Sequence, residues 1–259
     1  MSENERDREE TCGTTPTTGG VEVVSKEEIE KILQKVDKEA TARKLIGTSR
    51  WIVYLIGVSW SIFQVYTAAF GLFPAQLQRS VHLAYAFVLT FILFPARSGR
   101  SSNRLSWHHW AVVAFAGYIG LYMALNYIRI MEAGGDYSRI DYLAAGCGIL
   151  LTLEAARRVV GLPIVCLAAF FIVYTYFGPY FPGFMAHRGY SLERIASHMF
   201  LTTEGILGIP LGVAATFIYL FILFGSFREK SGLGQLFIDI SNAVAGWASG
   251  GPAKMAIVT

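Results

Sequence analysis

Residues 205–227 read GILGIPLGVAATFIYLFILFGSF, a stretch that contains no Asp, Glu, Lys or Arg. Residues 51–78, 105–128 and 159–187 are equally free of charge. A helix that crosses the hydrocarbon core of a bilayer needs about 20 apolar residues, and lipid requires its backbone hydrogen bonds to be made internally. These stretches therefore predict an all-α polytopic membrane protein.

The apolar pattern predicts about six transmembrane helices, of which the second and fourth are short. The predicted spans are about 51–71, 80–96, 107–129, 140–157, 162–181 and 205–227. The overall composition agrees, because 53% of the 259 residues are hydrophobic and only 16% are charged. A soluble domain carries about 25% charged residues.

The basic residues in the short loops alternate in number from one loop to the next, which predicts the orientation. One set of loops holds Arg43, Lys44, Arg50, Arg97, Arg100, Arg104, Arg157, Arg158, Arg228 and Lys230. The other loops hold fewer basic residues and mix them with acidic ones. We therefore expect a multi-pass protein of the plasma (inner) membrane with a cytoplasmic N-terminus.

Three segments lie outside the predicted spans. Residues 1–20 are polar and are expected to be disordered, whereas Ser25-Lys26-Glu27-Glu28 is a capping-box pattern that opens an amphipathic helix, either on the membrane surface or solvated in the cytosol. Residues 191–200 predict a short interfacial helix on the outer side. At the other end, an apolar run opens at Met255 just before the last residue, which leads us to expect a truncated C-terminus.

Five segments, in this order, resemble parts of one transporter family. They are TLEAARRVVG (152–161), YTYFGPYFPGFMAHRGY (174–190), TTEGILGIPLG (202–212), FGSFREKSGLG (224–234) and GWASGGPAKMAIV (246–258). Together they resemble the fused permease of a TRAP (tripartite ATP-independent periplasmic) transporter, in which a small four-helix subunit is joined to a large one.

The resemblance divides the membrane part of the chain in two: residues 47–160 resemble the small subunit, and 161–259 resemble the start of the large subunit. Residues 1–46, which precede them, are expected to be a cytoplasmic tail and amphipathic helix. The resemblance places the sodium and substrate sites beyond Thr259, in the remainder of the large subunit. It implies sodium as the coupling ion, an organic acid as substrate, a TAXI-type periplasmic binding protein as partner and an elevator mechanism.

The positions that match the family are expected to be structural. Glu154, Arg157 and Arg158 are spaced so that either arginine can pair with the carboxylate, as a snorkelling ion pair at the helix end or as a contact between the two membrane portions. A direct transport role is the minor alternative. The remaining matching positions are Glu204, Gly208, Pro210, Gly250, Gly251, Pro252 and Lys254.

The start of the sixth span offers two further interpretations. Glu204 is expected to serve the helix N-terminus, whose dipole favours an anion, or to join His198 in docking a binding protein. Pro210, between Gly208 and Gly212, predicts either a broken helix or a notch for close helix packing.

No other residues form a pattern typical of a metal site or a catalytic site. His108 and His109 are adjacent in sequence and point about 100° apart on a helix, so an aromatic interfacial belt with Trp107 and Trp110 is preferred to a metal site. The polar side chains of Gln64 and Asn126 predict hydrogen bonds between helices.

The absence of a GxxxxGK[ST], HExxH, GxSxG or GxGxxG motif argues against an enzyme or an ATPase. The alternative to a transporter component is a membrane scaffold or assembly protein without transport of its own. A reading frame that continues past Thr259 into further spans would separate the two hypotheses.

Overall fold

The computed structural model describes residues 43, 45, 47–96 and 107–245. Several of the sequence-derived expectations fall outside this part of the chain. They concern the N-terminal amphipathic helix, Lys44, Arg97, Arg100, Arg104, and the segment that contains Gly250, Gly251, Pro252 and Lys254.

Helices make up the structure, and no β-strand occurs in the described residues. The α-helices are α1 (Thr48–Phe70), α2 (Ala75–Leu93), α3 (Trp107–Leu125), α4 (Tyr127–Glu132), α5 (Arg139–Val159), α6 (Leu162–Phe177), α7 (Leu192–Ala196), α8 (Ile209–Val213), α9 (Tyr219–Lys230) and α10 (Leu233–Ala245). Two short π-helices follow α7 and α8, at Ser197–Leu201 and Ala214–Ile218.

Four helical segments are long and apolar enough to cross a membrane, which confirms the all-α polytopic fold. They are Ser49–Phe70, Trp107–Leu125, Leu162–Tyr180 and Ile209–Lys230. The second and fourth of the six predicted spans correspond to α2 and α5. These two helices fall outside the set of four because their sequences carry more polar and charged side chains, several of which are buried.

The core lies where α2, α3 and α5 meet. Phe91, Ile92, Met123 and Ala145 are at most 1% exposed there. The approach of α2 to α3 needs a glycine at position 120, since a Cβ atom on Gly120 would lie 2.7 Å from the Cα atom of Ala84. Small residues at such crossings let two helix backbones come close together, which increases van der Waals packing within the bilayer.

A layer of buried polar side chains joins α1 to α2. The side-chain amide of Gln64 donates to Nδ1 of His82 at 2.7 Å, and the amide of Gln78 donates to Oγ1 of Thr67 at 3.2 Å. The hydrogen bond expected of Gln64 between helices is therefore present. Asn126 differs, because its amide donates to the carbonyl oxygen of Tyr122 one turn earlier in the same chain segment.

A buried carboxylate ties together the ends of α3, α4 and α5. Asp141 is fully buried and accepts from both terminal nitrogens of Arg129, at 2.8 and 2.6 Å, and from the Tyr122 hydroxyl at 2.6 Å. The backbone N–H of Ser138 donates to the same carboxylate at 2.9 Å and completes a capping box. Hydrogen bonding to the Asp141 carboxylate raises the pKa of the Arg129 guanidinium, which holds the pair ionised.

We expect Asp141→Asn to destabilise the fold by about 2 kcal/mol, because a neutral amide loses the charge-assisted bonds to Arg129. A lower melting temperature of the detergent-solubilised protein would measure the effect. The control is Asp136→Asn, since the exposed Asp136 side chain makes no hydrogen bond or ion pair with any described residue. Equal melting temperatures for the two variants would contradict the structural role of Asp141.

Candidate functional site

The carboxyl end of α2 is covered by basic residues from three other segments of the chain. They donate to carbonyl oxygens of the last helical turn, at Phe91 and Leu93, and of the residues that follow it, at Phe94 and Ala96. The bonds run from the His109 ring to Phe91 (2.7 Å), from the Arg43 backbone N–H to Leu93 (2.9 Å), from the Arg158 side chain to Phe94 (3.2 Å) and from the Arg157 side chain to Ala96 (3.0 Å). Unpaired carbonyls at a helix end favour any hydrogen-bond donor, and the negative end of the helix dipole also favours the two arginine side chains. We name Arg43, His109, Arg157 and Arg158 the basic cap.

Glu154 is the carboxylate that holds two members of the basic cap in place. It accepts from Arg157 at 2.7 and 2.8 Å and from Nε of Arg158 at 2.8 Å. The Arg158 side chain is only 7% exposed, and its guanidinium carbon lies 4.4 Å from the centroid of the Phe91 ring. The expectation that Arg158 snorkels is therefore wrong, because its guanidinium donates to the Phe94 carbonyl oxygen and lies against the Phe91 ring instead.

The basic cap concentrates positive charge in a small volume. Burial and the neighbouring charge of Arg158 hold the pKa of the Arg43 guanidinium below its usual value. His109 turns toward α2 instead of lining an aromatic belt, whereas His108 is exposed. Glu154 therefore offsets repulsion as well as orienting the two arginines.

A close contact joins α5 to the π-helix at Ser197–Leu201. Phe200 is fully buried, and its ring fills the space that a Cβ atom on Gly148 would need. Leu201 and Leu207 are buried beside it in the same core. The segment between residues 197 and 207 is thus packed into the bundle formed by α2, α3 and α5.

Arg79 of α2 makes a second contact with this part of the chain. Its Nη1 donates to the carbonyl oxygen of Leu207 at 2.7 Å, and its guanidinium packs against Gly212, where a Cβ atom would lie 2.7 Å from Nε. Gly212 therefore acts as the packing notch that the sequence offered as one alternative. We use the term seam for the contacts that residues 47–160 make with residues 195–219.

Of the two interpretations of Pro210, a helix broken at this residue does not fit the structure. The last span begins at Ile209 and not at residue 205, so Pro210 lies in the first helical turn, where a missing N–H costs little. The irregular backbone lies further on, at the π-helix Ala214–Ile218.

Gly208 is the buried residue before the helix, and Glu204 lies in the preceding turns with an exposed side chain. The helix-capping role of Glu204 stays a prediction.

Aromatic side chains complete the seam between α1, α2 and α9. The Trp60 ring centroid lies 4.8 Å from that of His82 and 4.6 Å from that of Tyr219. The hydroxyl groups of Ser61 and Tyr219 are 3.0 Å apart and form a hydrogen bond. Polar and aromatic groups that face each other in this way stabilise helix pairs within lipid.

A cavity of about 660 Å³ opens between α5, α6 and the segment that follows α7. Its walls are mainly apolar, and its charged or polar groups include Arg194, His198 and Tyr190. Within the described ranges, no group of three or more His, Cys, Asp or Glu side chains could hold a metal ion.

The helices and their polar contacts define a multi-pass membrane protein whose spans are packed around internal hydrogen bonds and ion pairs. Residues 147–259 match the family model described as "Tripartite ATP-independent periplasmic transporter, DctM component". This match covers less than half of the chain and agrees with the resemblance of that part to a TRAP transporter permease, together with its membrane and transport character. The family implies association with the membrane and with a periplasmic binding protein. No curated protein and no solved structure matches the chain.

Sequence analysis identified Glu154 and its two arginines but missed the carbonyl oxygens that these arginines also contact. Every residue has a backbone carbonyl, so the sequence does not show which carbonyl accepts a bond. It also missed the roles of Arg79 and Gly148. Arg79 could have been noticed as a cation one helical turn inside α2. Gly148 belongs to a run of small residues, AAGCG, which is typical of a close helix crossing.

Gly148→Ala is expected to destabilise the protein by about 1–3 kcal/mol, because the added methyl group overlaps the buried Phe200 ring. Thermal unfolding in detergent measures this loss. Gly146→Ala in the same helix is the matched control, since a Cβ atom at that position meets nothing within 4 Å. That control should be neutral or stabilising by up to about 1 kcal/mol, reflecting the better helix propensity of alanine. A neutral Gly148→Ala would show that the seam is looser than described.

Proposed function

We propose that the chain is a permease component of a secondary TRAP transporter that imports organic acids, as carboxylates, with sodium as the symported coupling ion. In this proposal, a TAXI-type periplasmic binding protein delivers the substrate. The described residues act mainly as the fixed scaffold of an elevator mechanism. The chain is accordingly not an enzyme, which agrees with the transporter family that residues 147–259 match.

The scaffold role is supported by the way in which the charged side chains between the helices are bonded. Asp141 and Glu154 are each paired with arginine, and Arg79 is bonded to a backbone carbonyl across the seam. A transport pathway needs polar groups that stay available to substrate and ions, often at interrupted helices. Groups that are already bonded to one another hold helices together instead, as a scaffold must.

We further propose that the basic cap faces the cytoplasm. Arg43, Arg157 and Arg158 meet at one end of the bundle, whereas Arg129 follows α3 at the opposite end and is paired with Asp141. Among the described residues, the first end carries three arginines but one paired carboxylate, Glu154, and this excess of positive charge supports a cytoplasmic position by the positive-inside rule. This orientation supports an inner-membrane protein with a cytoplasmic N-terminus.

Uptake into proteoliposomes tests the transport proposal. The full-length permease, reconstituted with its own TAXI-type binding protein, is expected to accumulate a labelled organic acid only when sodium is higher outside. The assay compares inward sodium, potassium and proton gradients across a panel of dicarboxylates and keto acids. Omission of the binding protein is the matched control and should abolish uptake.

Each outcome of this assay bears on a separate part of the proposal. Uptake driven by protons alone would contradict sodium coupling but leave the transporter class intact. Uptake without the binding protein would contradict the tripartite arrangement. A folded, membrane-inserted permease that moves none of the acids under any gradient would favour the alternative, a membrane scaffold protein without transport.

Glu154→Gln separates a scaffold role from a transport role. We expect a loss of stability of about 1–2 kcal/mol, less than for a fully buried pair because the Glu154 side chain is 32% exposed. For the fraction that folds, the KM for substrate and the sodium dependence should equal those of the unchanged protein. Glu132→Gln, at an exposed position, is the control. A changed KM or sodium dependence with an unchanged melting temperature would contradict the scaffold role.

A further inference from the structure

The segment after α6 folds back over the end of its own helix. The backbone N–H groups of His187 and Tyr190 donate to the carbonyl oxygens of Gly178 and Thr175, each at 3.2 Å. These bonds close the chain between residues 178 and 190 into a compact loop. We name residues 178–190 the aromatic loop.

A histidine holds the aromatic loop in one conformation. Nε2 of His187 donates to the carbonyl oxygen of Tyr174 at 3.2 Å, and its Nδ1 accepts from the N–H of Gly189 at 3.1 Å. The His187 ring also packs against Gly178, where it occupies the space of a Cβ atom. From α6, the Tyr174 hydroxyl donates to the carbonyl oxygen of Met185 at 2.6 Å. The loop is therefore held at both its ends and its middle.

This rigid loop turns two aromatic side chains away from the protein. Phe184 is 100% exposed and Tyr180 is 84% exposed. Exposure of large aromatic groups on a well-bonded loop needs an environment that covers them, because water does not favour contiguous apolar surface.

The position of the loop indicates which environment this is. Tyr180 ends the span Leu162–Tyr180, so the aromatic loop begins at the membrane boundary. Aromatic residues concentrate at that boundary, where their rings lie at the level of the lipid headgroups. The sequence contains no Asp or Glu between Glu154 and Glu193, so no acidic side chain in this segment opposes contact with lipid headgroups.

We propose that the aromatic loop is a membrane anchor, in which Phe184 and Tyr180 insert into the headgroup region of the leaflet next to the end of α6. The anchor fixes the depth of this span in the bilayer. It does not depend on the identity of the transported substrate.

Spin labels at single cysteines test the proposal in the full chain. Phe184→Cys, Phe170→Cys and Glu193→Cys are each made with Cys12, Cys147 and Cys166 replaced by serine. Phe170 is a half-exposed residue within α6 and reports the lipid core, whereas the exposed Glu193 follows the loop on the same side of the membrane and reports water. The labelled proteins are reconstituted in vesicles of phosphatidylethanolamine and phosphatidylglycerol. Collision rates are measured with oxygen, which concentrates in lipid, and with a water-soluble nickel chelate.

The expected ratio of oxygen to nickel collisions at position 184 is several-fold higher than at position 193 and lower than at position 170. A ratio equal to that at position 193 would place the loop in water, as a surface free for a soluble partner, and would overturn the proposal. Low collision rates with both reagents would place the loop against protein and would overturn it as well. Because the Phe184 side chain is fully exposed, its replacement should not impair folding.

Discussion

A polar group that lipid or protein shields from water costs several kcal/mol if it finds no partner, and this constraint organises the described structure. The clearest example is the carboxyl end of α2, where the basic cap donates hydrogen bonds to carbonyl oxygens that have no partner within the helix. The same constraint explains why the Asp141 carboxylate accepts bonds from Arg129, Tyr122 and Ser138 at once. Both clusters join different helices, so satisfying the polar groups also fixes the positions of the helices.

Close packing supplies the second part of this arrangement. Lipid tails are as apolar as leucine side chains, so apolar helices gain little from burial against each other and associate through tight contact instead. Gly120, Gly148 and Gly212 each lie where a neighbouring backbone, ring or guanidinium occupies the space of a Cβ atom. Two of these glycines belong to the seam, which makes the contact between residues 47–160 and residues 195–219 dependent on shape as well as on hydrogen bonds.

The combination favours a rigid component over a moving one. Hydrogen bonds and ion pairs at both ends of the bundle hold it, and the seam between them is filled by Phe200, Leu201 and Leu207. A moving domain needs interfaces that can slide or rearrange, and contacts that interlock a ring with a glycine resist sliding. In the elevator mechanism proposed above, such a body would provide the surface along which another domain travels.

The sequence by itself determined the class of fold and most of the helices, because charge-free stretches of span length are hard to place anywhere but in lipid. It also determined that Glu154 pairs with Arg157 or Arg158, since spacings of three and four residues put them on one helix face. Only the tertiary structure decided that Arg158 turns inward to Phe94, that Arg79 reaches Leu207, and that Phe200 fills the space beside Gly148. These contacts join residues 64, 128 and 52 positions apart. They depend on how the helices cross, and the spacing of residues along a single helix does not reveal that crossing.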